Sequence, residues 1–146
     1  MQDLKLINHQ DETKFGQSLM DIDIDETGNP VLLSGNELLL QQVVKCVMTG
    51  LQENGYGSRI YNLQGAKMLA YTDNAFIMFE LTRSLKVLQT LIAKNALVQD
   101  VADSEKLYEL PYIFTNYVRA TGYWEITAKL KDYSGNNLTT TVIAGT

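Results

Sequence analysis

A chain of 146 residues, 45% of them hydrophobic, suffices for one domain with a single sizeable core. Its formal charge of −5 argues against a nucleic-acid partner, because such binding rests on Lys and Arg neutralising phosphate. No apolar run approaches the roughly 18 residues that span a bilayer, the opening Met1-Gln2-Asp3 lacks a signal peptide's basic and apolar regions, and the single Cys46 forms neither an internal disulfide nor, alone, a thiolate metal cluster. The expectation is a soluble protein made in the cytoplasm, with no membrane partner, metal or cofactor.

Met1 to Gln17 shows no period, and reads as an extended arm over 1–17 that orders on a partner, ahead of a single domain over 18–146. From Ser18 the parity sharpens: Leu19, Asp21, Asp23 and Asp25 alternate with Met20, Ile22 and Ile24, as in a half-buried strand with its acidic face in water. Glu26-Thr27-Gly28-Asn29 supplies a turn and Pro30 to Leu33 the return strand, predicting a β-hairpin. Ser34 or Asn36 is placed to cap a helix with Leu39, Val43, Cys46, Val47 and Leu51 inside, widened by Leu40, Val44 and Met48, and with Gln41, Lys45 and Gln52 outside. Asn54-Gly55-Tyr56-Gly57 ends it, and Arg59 to Leu69 reads as a compact connection with one helical turn. A longer helix begins near Thr72 or Asp73 and carries Met78, Leu81, Leu85, Leu88 and Ile92 as a core stripe. The last third reads as a three-stranded antiparallel meander: Tyr112 to Arg119, the alternating run Tyr123 to Leu130, and Leu138 to Ile143 after the Tyr133 to Asn137 turn. Hairpin, two helices and meander predict an α+β domain with its helices on one sheet face.

No catalytic residue emerges. The Asp21, Asp23, Asp25 spacing fits the start of an EF-hand, but Glu26 stands where that loop needs Gly and Leu32 where it needs Glu. His9, the only histidine, lies in the arm, and Cys46 lies on the apolar helix face, where burial raises a thiol's pKa. Glu37, Glu80 and Glu125 read as solvated surface, with none in the apolar setting a glycosidase acid requires. Gly55, Gly57 and Gly65 are turn glycines, not a phosphate loop.

The order of parts nevertheless carries a resemblance. Asp21-Ile-Asp-Ile-Asp-Glu-Thr-Gly-Asn29, Leu32-Leu-Ser-Gly35, Asn36-Glu37, Gln41-Gln42, Met48-Thr-Gly50 and Asn54-Gly-Tyr-Gly-Ser-Arg-Ile60, followed by the later helix and the Trp124 to Ile143 strands, resemble the baseplate wedge and tail-sheath-initiator family of contractile-tailed phages. The likeness covers most of residues 18 to 143. It implies a non-enzymatic structural subunit of the virion's tail baseplate, assembled in the host cytoplasm in several copies around a sixfold ring. Implied partners are baseplate wedge proteins, the tail sheath subunit, and the tail tube or hub. Family members meet the sheath by strand addition. The uncharged run Leu138, Thr139, Thr140, Thr141, Val142 and Ile143 is the candidate edge, with Tyr56 and Arg59 as further candidate partner-binding residues, and closure of the domain's own sheet as the alternative role for that run. The chain departs from the family at Ala93 to Asp100, which lacks the Glu-Pro-Arg motif of many sheath initiators. Either its anchoring to the wedge differs, or it is another wedge-type relative. Competing readings are a small cell-wall glycosidase and an adaptor domain of a non-phage complex.

Rejecting the EF-hand gives a direct expectation. Calcium should leave the melting temperature of the wild type and of D21N/D23N unchanged in thermal denaturation, and a calcium-dependent rise lost in D21N/D23N would restore the metal site.

Overall fold

The structure, a computed structural model, describes residues 1–8, 14–15, 20–60 and 74–144. In chain order the elements are β1 (Asp3–Leu4), β2 (Leu6–Asn8), β3 (Lys14–Phe15), β4 (Met20–Ile22), β5 (Leu32–Leu33), α1 (Gly35–Met48), α2 (Asn74–Asn95), a single 3-10 turn at Asp103–Glu105, β6 (Leu107–Val118), β7 (Tyr123–Asp132) and β8 (Asn137–Ala144). The fold is α+β. The two-residue period over Tyr123 to Leu130 forms the central strand of the meander: β7 pairs antiparallel with β6, from Tyr112↔Lys129 to Val118↔Tyr123, and with β8, from Trp124↔Ala144 to Lys131↔Asn137. Ile126, Ala128 and Leu130 point to one side and are buried with Val142, while Lys129 stays exposed. That dry side is covered by both helices, α1 against β8 and α2 against β6 and α1.

The helices follow their apolar spacing with three shifts. On α1, Leu39, Val43, Val44, Cys46, Val47 and Met48 are buried as expected, but Leu51 lies beyond the helix and is exposed. Gln41, read as outward, is buried. On α2 the stripe is Ile77, Leu81, Leu85, Leu88 and Ile92, with Met78 turned out to 44% exposure. Ser34 sits at the α1 N-cap position without a side-chain capping bond; the Glu105 carboxylate instead accepts from the Gly35 amide at 3.0 Å, so an anion held in the 3-10 turn serves the helix N-terminus. The expected caps Thr72 and Asp73 lie outside the described residues, as do Leu19, His9 and Gly65.

The arm and the hairpin differ most from expectation. The described residues of the 1–17 segment are extended, but they pair within this chain. The turn forms, with the Asp25 carboxylate accepting from Thr27 and Asn29 amides at 2.9 Å, and the hairpin closes at Ile24↔Pro30 and Val31 N to Asp23 O. Beyond that point its two limbs part. β1 pairs with β5, β2 pairs with β4, and the chain switches from one limb to the other at Lys5. The switch deprives the Leu4 carbonyl and Leu6 amide of a strand partner, and the Gln41 side-chain amide supplies both bonds, at 2.6 and 2.7 Å. This is why an amide is buried on α1. β3 adds parallel to the outer side of β8 at Lys14↔Thr141 and Phe15↔Val142.

The pairing also departs in part from the faces expected of the acidic strand, since Asp23 is half-buried and Ile24 exposed while Asp25 stays in water. Asp3 bonds Lys45 and sits opposite the buried Leu33, and Asp23 is half-buried with Lys5 at 3.2 Å. The other side carries Leu4 (38% exposed), Ile24 (58%) and Leu32 (54%) to solvent. Asp3 turns toward Lys45 of α1, and Asp23 meets Lys5 of the N-terminal segment.

Gln41→Ala should cost about 1 kcal/mol, the low end for unpaired backbone groups because both are only part-buried, and hydrogen exchange should show faster exchange at Leu6 with the meander unaffected. Unchanged exchange at Leu6 would mean that the arm holds without the clasp.

Candidate functional site

The Tyr56-Gly57-Ser58-Arg59-Ile60 run packs into a polar junction between α1, the loop after it and α2. Ser58 is fully buried: its amide donates to Thr49 O at 2.7 Å, its hydroxyl donates to Val47 O at 3.0 Å, and it accepts from the Ile60 amide at 2.9 Å. These bonds satisfy the last carbonyls of α1, which the helix cannot satisfy itself. Gly57 has φ +91°, and a Cβ there would lie 2.7 Å from Thr49 O and closer still to Gly50 O. No side chain fits, so the glycine is a requirement of backbone approach.

α2 holds this loop through Glu80, Arg83 and Ser84. Glu80, read from the sequence as solvated surface, has no exposure to solvent. Its Oε1 lies 2.7 Å from Arg83 Nη2 and accepts from the Arg59 amide at 2.8 Å, and Oε2 accepts from Arg83 Nε at 3.2 Å. Arg83 also donates to the Gly55 and Gly57 carbonyls at 3.1 and 3.0 Å, and the Ser84 hydroxyl donates to Gly57 O at 2.8 Å. Burial works against the Glu80 charge, but the Arg83 guanidinium and the Arg59 amide outweigh it and hold the carboxyl below its ordinary value. The same pairing raises Arg83. Cys46 lies against this junction, with its Sγ 3.7 Å from Ser84 O, and burial pushes the thiol up, which disfavours the thiolate.

Spacing did hold a signal for this junction. Glu80 and Ser84 fall three and seven residues after the buried Ile77, at core-facing positions of α2. A carboxylate in that register needs an internal cation, and Arg83 is one helical turn away.

Among the described residues the other two buried carboxylates are also bound internally. Glu105 accepts from the Gly35 and Ala102 amides, and Asp132 accepts from the Asn136 amide at 2.8 Å, closing the β7–β8 turn. Two depressions of about 260 and 230 Å³ adjoin Gln89 and Leu107 between α2 and the start of β6. Among the residues that line them, Glu109 is the one carboxylate.

The candidate partner-binding residues fall on two elements. Tyr56 is half-buried against the core, whereas Arg59 exposes its side chain and donates its amide to Glu80. Leu138 to Ile143 lie within β8, which pairs along its length with β7; Thr140 and Val142 face the core, Thr139 is exposed, and Thr141 and Ile143 are half-buried on the outer face. A partner strand on the outer side of β8 would have to displace β3 at Thr141 and Val142.

Comparisons of the chain with protein-family models, with curated proteins and with solved structures find no match.

Removing Glu80 should strand Arg83. Glu80→Ala is expected to lower stability by about 3 kcal/mol, the low end for a broken buried pair because Arg83 remains 25% exposed. The sign with pH follows from the lowered carboxyl. Its contribution is complete above the ordinary value of 4.5 and is lost as pH falls through the lower folded value. Chemical denaturation should therefore show the gap between wild type and Glu80→Gln widest at neutral pH and shrinking in acid. A gap that grows in acid would contradict an ionised Glu80.

Proposed function

We propose that this protein is a structural subunit of a contractile phage tail baseplate, joining wedge proteins around the tail tube and contacting the sheath. The sequence resemblance supplies the family. The physical observation that supports an assembly role is the outward apolar side of the N-terminal strands, where Leu4, Ile24 and Leu32 stand exposed while Asp3 pairs with Lys45 and Asp23 with Lys5. Exposed apolar patches of this kind mark surfaces that other proteins cover. The polar junction around Glu80 fits the same reading, because it uses the Tyr-Gly-Ser-Arg motif to fix a loop and commits the Glu80 carboxylate to Arg83 and the Arg59 amide. Sheath contact by strand addition at Leu138 to Thr140 belongs to this proposal, with β3 yielding Thr141 and Val142.

Cryo-electron microscopy of contractile tails from the source should show density for this chain where baseplate meets sheath, with Leu4, Ile24 and Leu32 against a neighbour. Tails that lack the chain would end the proposal.

A further inference from the structure

Asn54-Gly55 is the one Asn-Gly step in the chain. Such a step carries a reaction of its own that needs no reagent but water. The Gly55 amide nitrogen, once its proton has gone to solvent base, attacks Cγ of Asn54; the N–Cγ bond forms, the Cγ–Nδ2 bond breaks, and Nδ2 leaves with a solvent proton as ammonia. Water then opens the five-membered imide at either carbonyl. Opening at Cγ gives aspartate, and opening at the main-chain carbonyl gives isoaspartate, in which the backbone runs through the former side chain and is one carbon longer. Glycine makes the step easy because no Cβ hinders its nitrogen as it turns toward Cγ.

Asn54 is exposed, so burial does not keep water or base from it. What the fold withholds is the nucleophile. The Gly55 N–H donates to Gln52 O at 3.0 Å, inside a turn that the Gln52 amide closes on Tyr56 O at 2.8 Å. An amide proton held in such a bond is lost when the bond opens. The electrophile is held too, because Asn54 Oδ1 accepts from the Tyr56 amide at 3.0 Å. Both reacting groups are thus fixed by the turn, and the turn is fixed from α2: Arg83 Nη1 donates to Gly55 O at 3.1 Å and Nη2 to Gly57 O at 3.0 Å, while Glu80 holds the guanidinium in place.

We infer that Asn54 is a deamidation site held unreactive by the Glu80–Arg83 pair, and that its isoaspartate product cannot return to the closed loop. The second part follows from how little room the loop has. Gly55 and Gly57 present their carbonyls to two nitrogens of one rigid guanidinium, and a Cβ on Gly57 would lie 2.7 Å from Thr49 O. An extra backbone carbon before Gly55 shifts the first carbonyl relative to the second, and the second has no space to follow. The aspartate product keeps the backbone length and an oxygen for the Tyr56 amide. One opening of the imide therefore restores the loop, and the other leaves it open as a one-way record that it once came away from α2.

Full-length protein kept at mildly alkaline pH, and followed by peptide mass spectrometry with fragmentation that separates Asn, Asp and isoaspartate, reads the reaction directly. Asn54 in the folded wild type should convert at least about tenfold more slowly than in the same protein unfolded in urea, in step with the protection of the Gly55 amide in hydrogen exchange. Arg83→Lys keeps a cation for Glu80 but loses the fork that reaches both carbonyls. It should speed conversion in the folded state at least about tenfold, with unchanged exchange over Trp124 to Leu130 showing that the sheet persists. The isoaspartate product, separated from the reacted mixture, should exchange faster than the aspartate product at the Ser58 and Ile60 amides, which are bonded within the closed loop. Equal rates in folded and unfolded wild type overturn the inference without recourse to any variant, as does an unfolded chain in which Asn54 does not react. A folded Arg83→Lys that converts no faster than wild type overturns the control by Glu80 and Arg83, and an isoaspartate product with native exchange overturns the one-way step.

Discussion

A carboxylate with no exposure to water requires a cation and hydrogen-bond donors within reach, and Glu80 therefore fixes where α2, the 49–60 loop and the end of α1 sit relative to one another. Arg83 neutralises it and reaches two loop carbonyls, while Ser84 takes one of them as well. Loop, helix end and second helix are thus joined by charge and geometry, where apolar packing alone would allow them to slide. Apolar contacts reward many arrangements about equally. A buried ion pair with every bond assigned rewards one.

The meander and the two helices were legible in the sequence because each depends on a local period. Trp124, Ile126, Ala128 and Leu130 fall on one side of any strand they form, and Val43, Cys46 and Val47 on one side of any helix. Met78 was misplaced by one position because Ile77 beside it satisfies a three-and-four spacing equally well, and only the partner surface decides between them. Pairing across long sequence separations left no such trace. Nothing local in Leu4-Lys5-Leu6 announces a switch of strand partner, and nothing in Gln41 announces that an amide on α1 will complete it. The alternation from Asp21 to Asp25 left Asp25 in water as expected, but Asp23 turned half-inward and Ile24 outward. Which side of a strand is wet depends on where Lys5 and Lys45 end up.

The candidate site was legible in the same measure. The Tyr-Gly-Ser-Arg run stood out as a motif, and the glycine's role as a turn was plain. Its partners were not, because Glu80 and Arg83 look like any solvated i, i+3 pair until the loop closes over them. The β8 run was read either as an edge or as a strand closing this domain's own sheet; it pairs with β7, and β3, far away in sequence, takes part of its other side. β6 shows the opposite case: its uncharged, aromatic second half is visible in the sequence, and only the sheet order reveals that it is the end strand among the described residues.

The parallel pairing of Lys14 and Phe15 with Thr141 and Val142 also governs the order in which the molecule can be completed. During synthesis, residues 14 and 15 are made long before their partners at 141 and 142, so β3 has no place in the sheet until β8 has been made. The helices and the loop they clasp are finished well before then. The contacts nearest to the β8 edge are therefore the last to form and, carrying the largest loop-closure cost, the first to open.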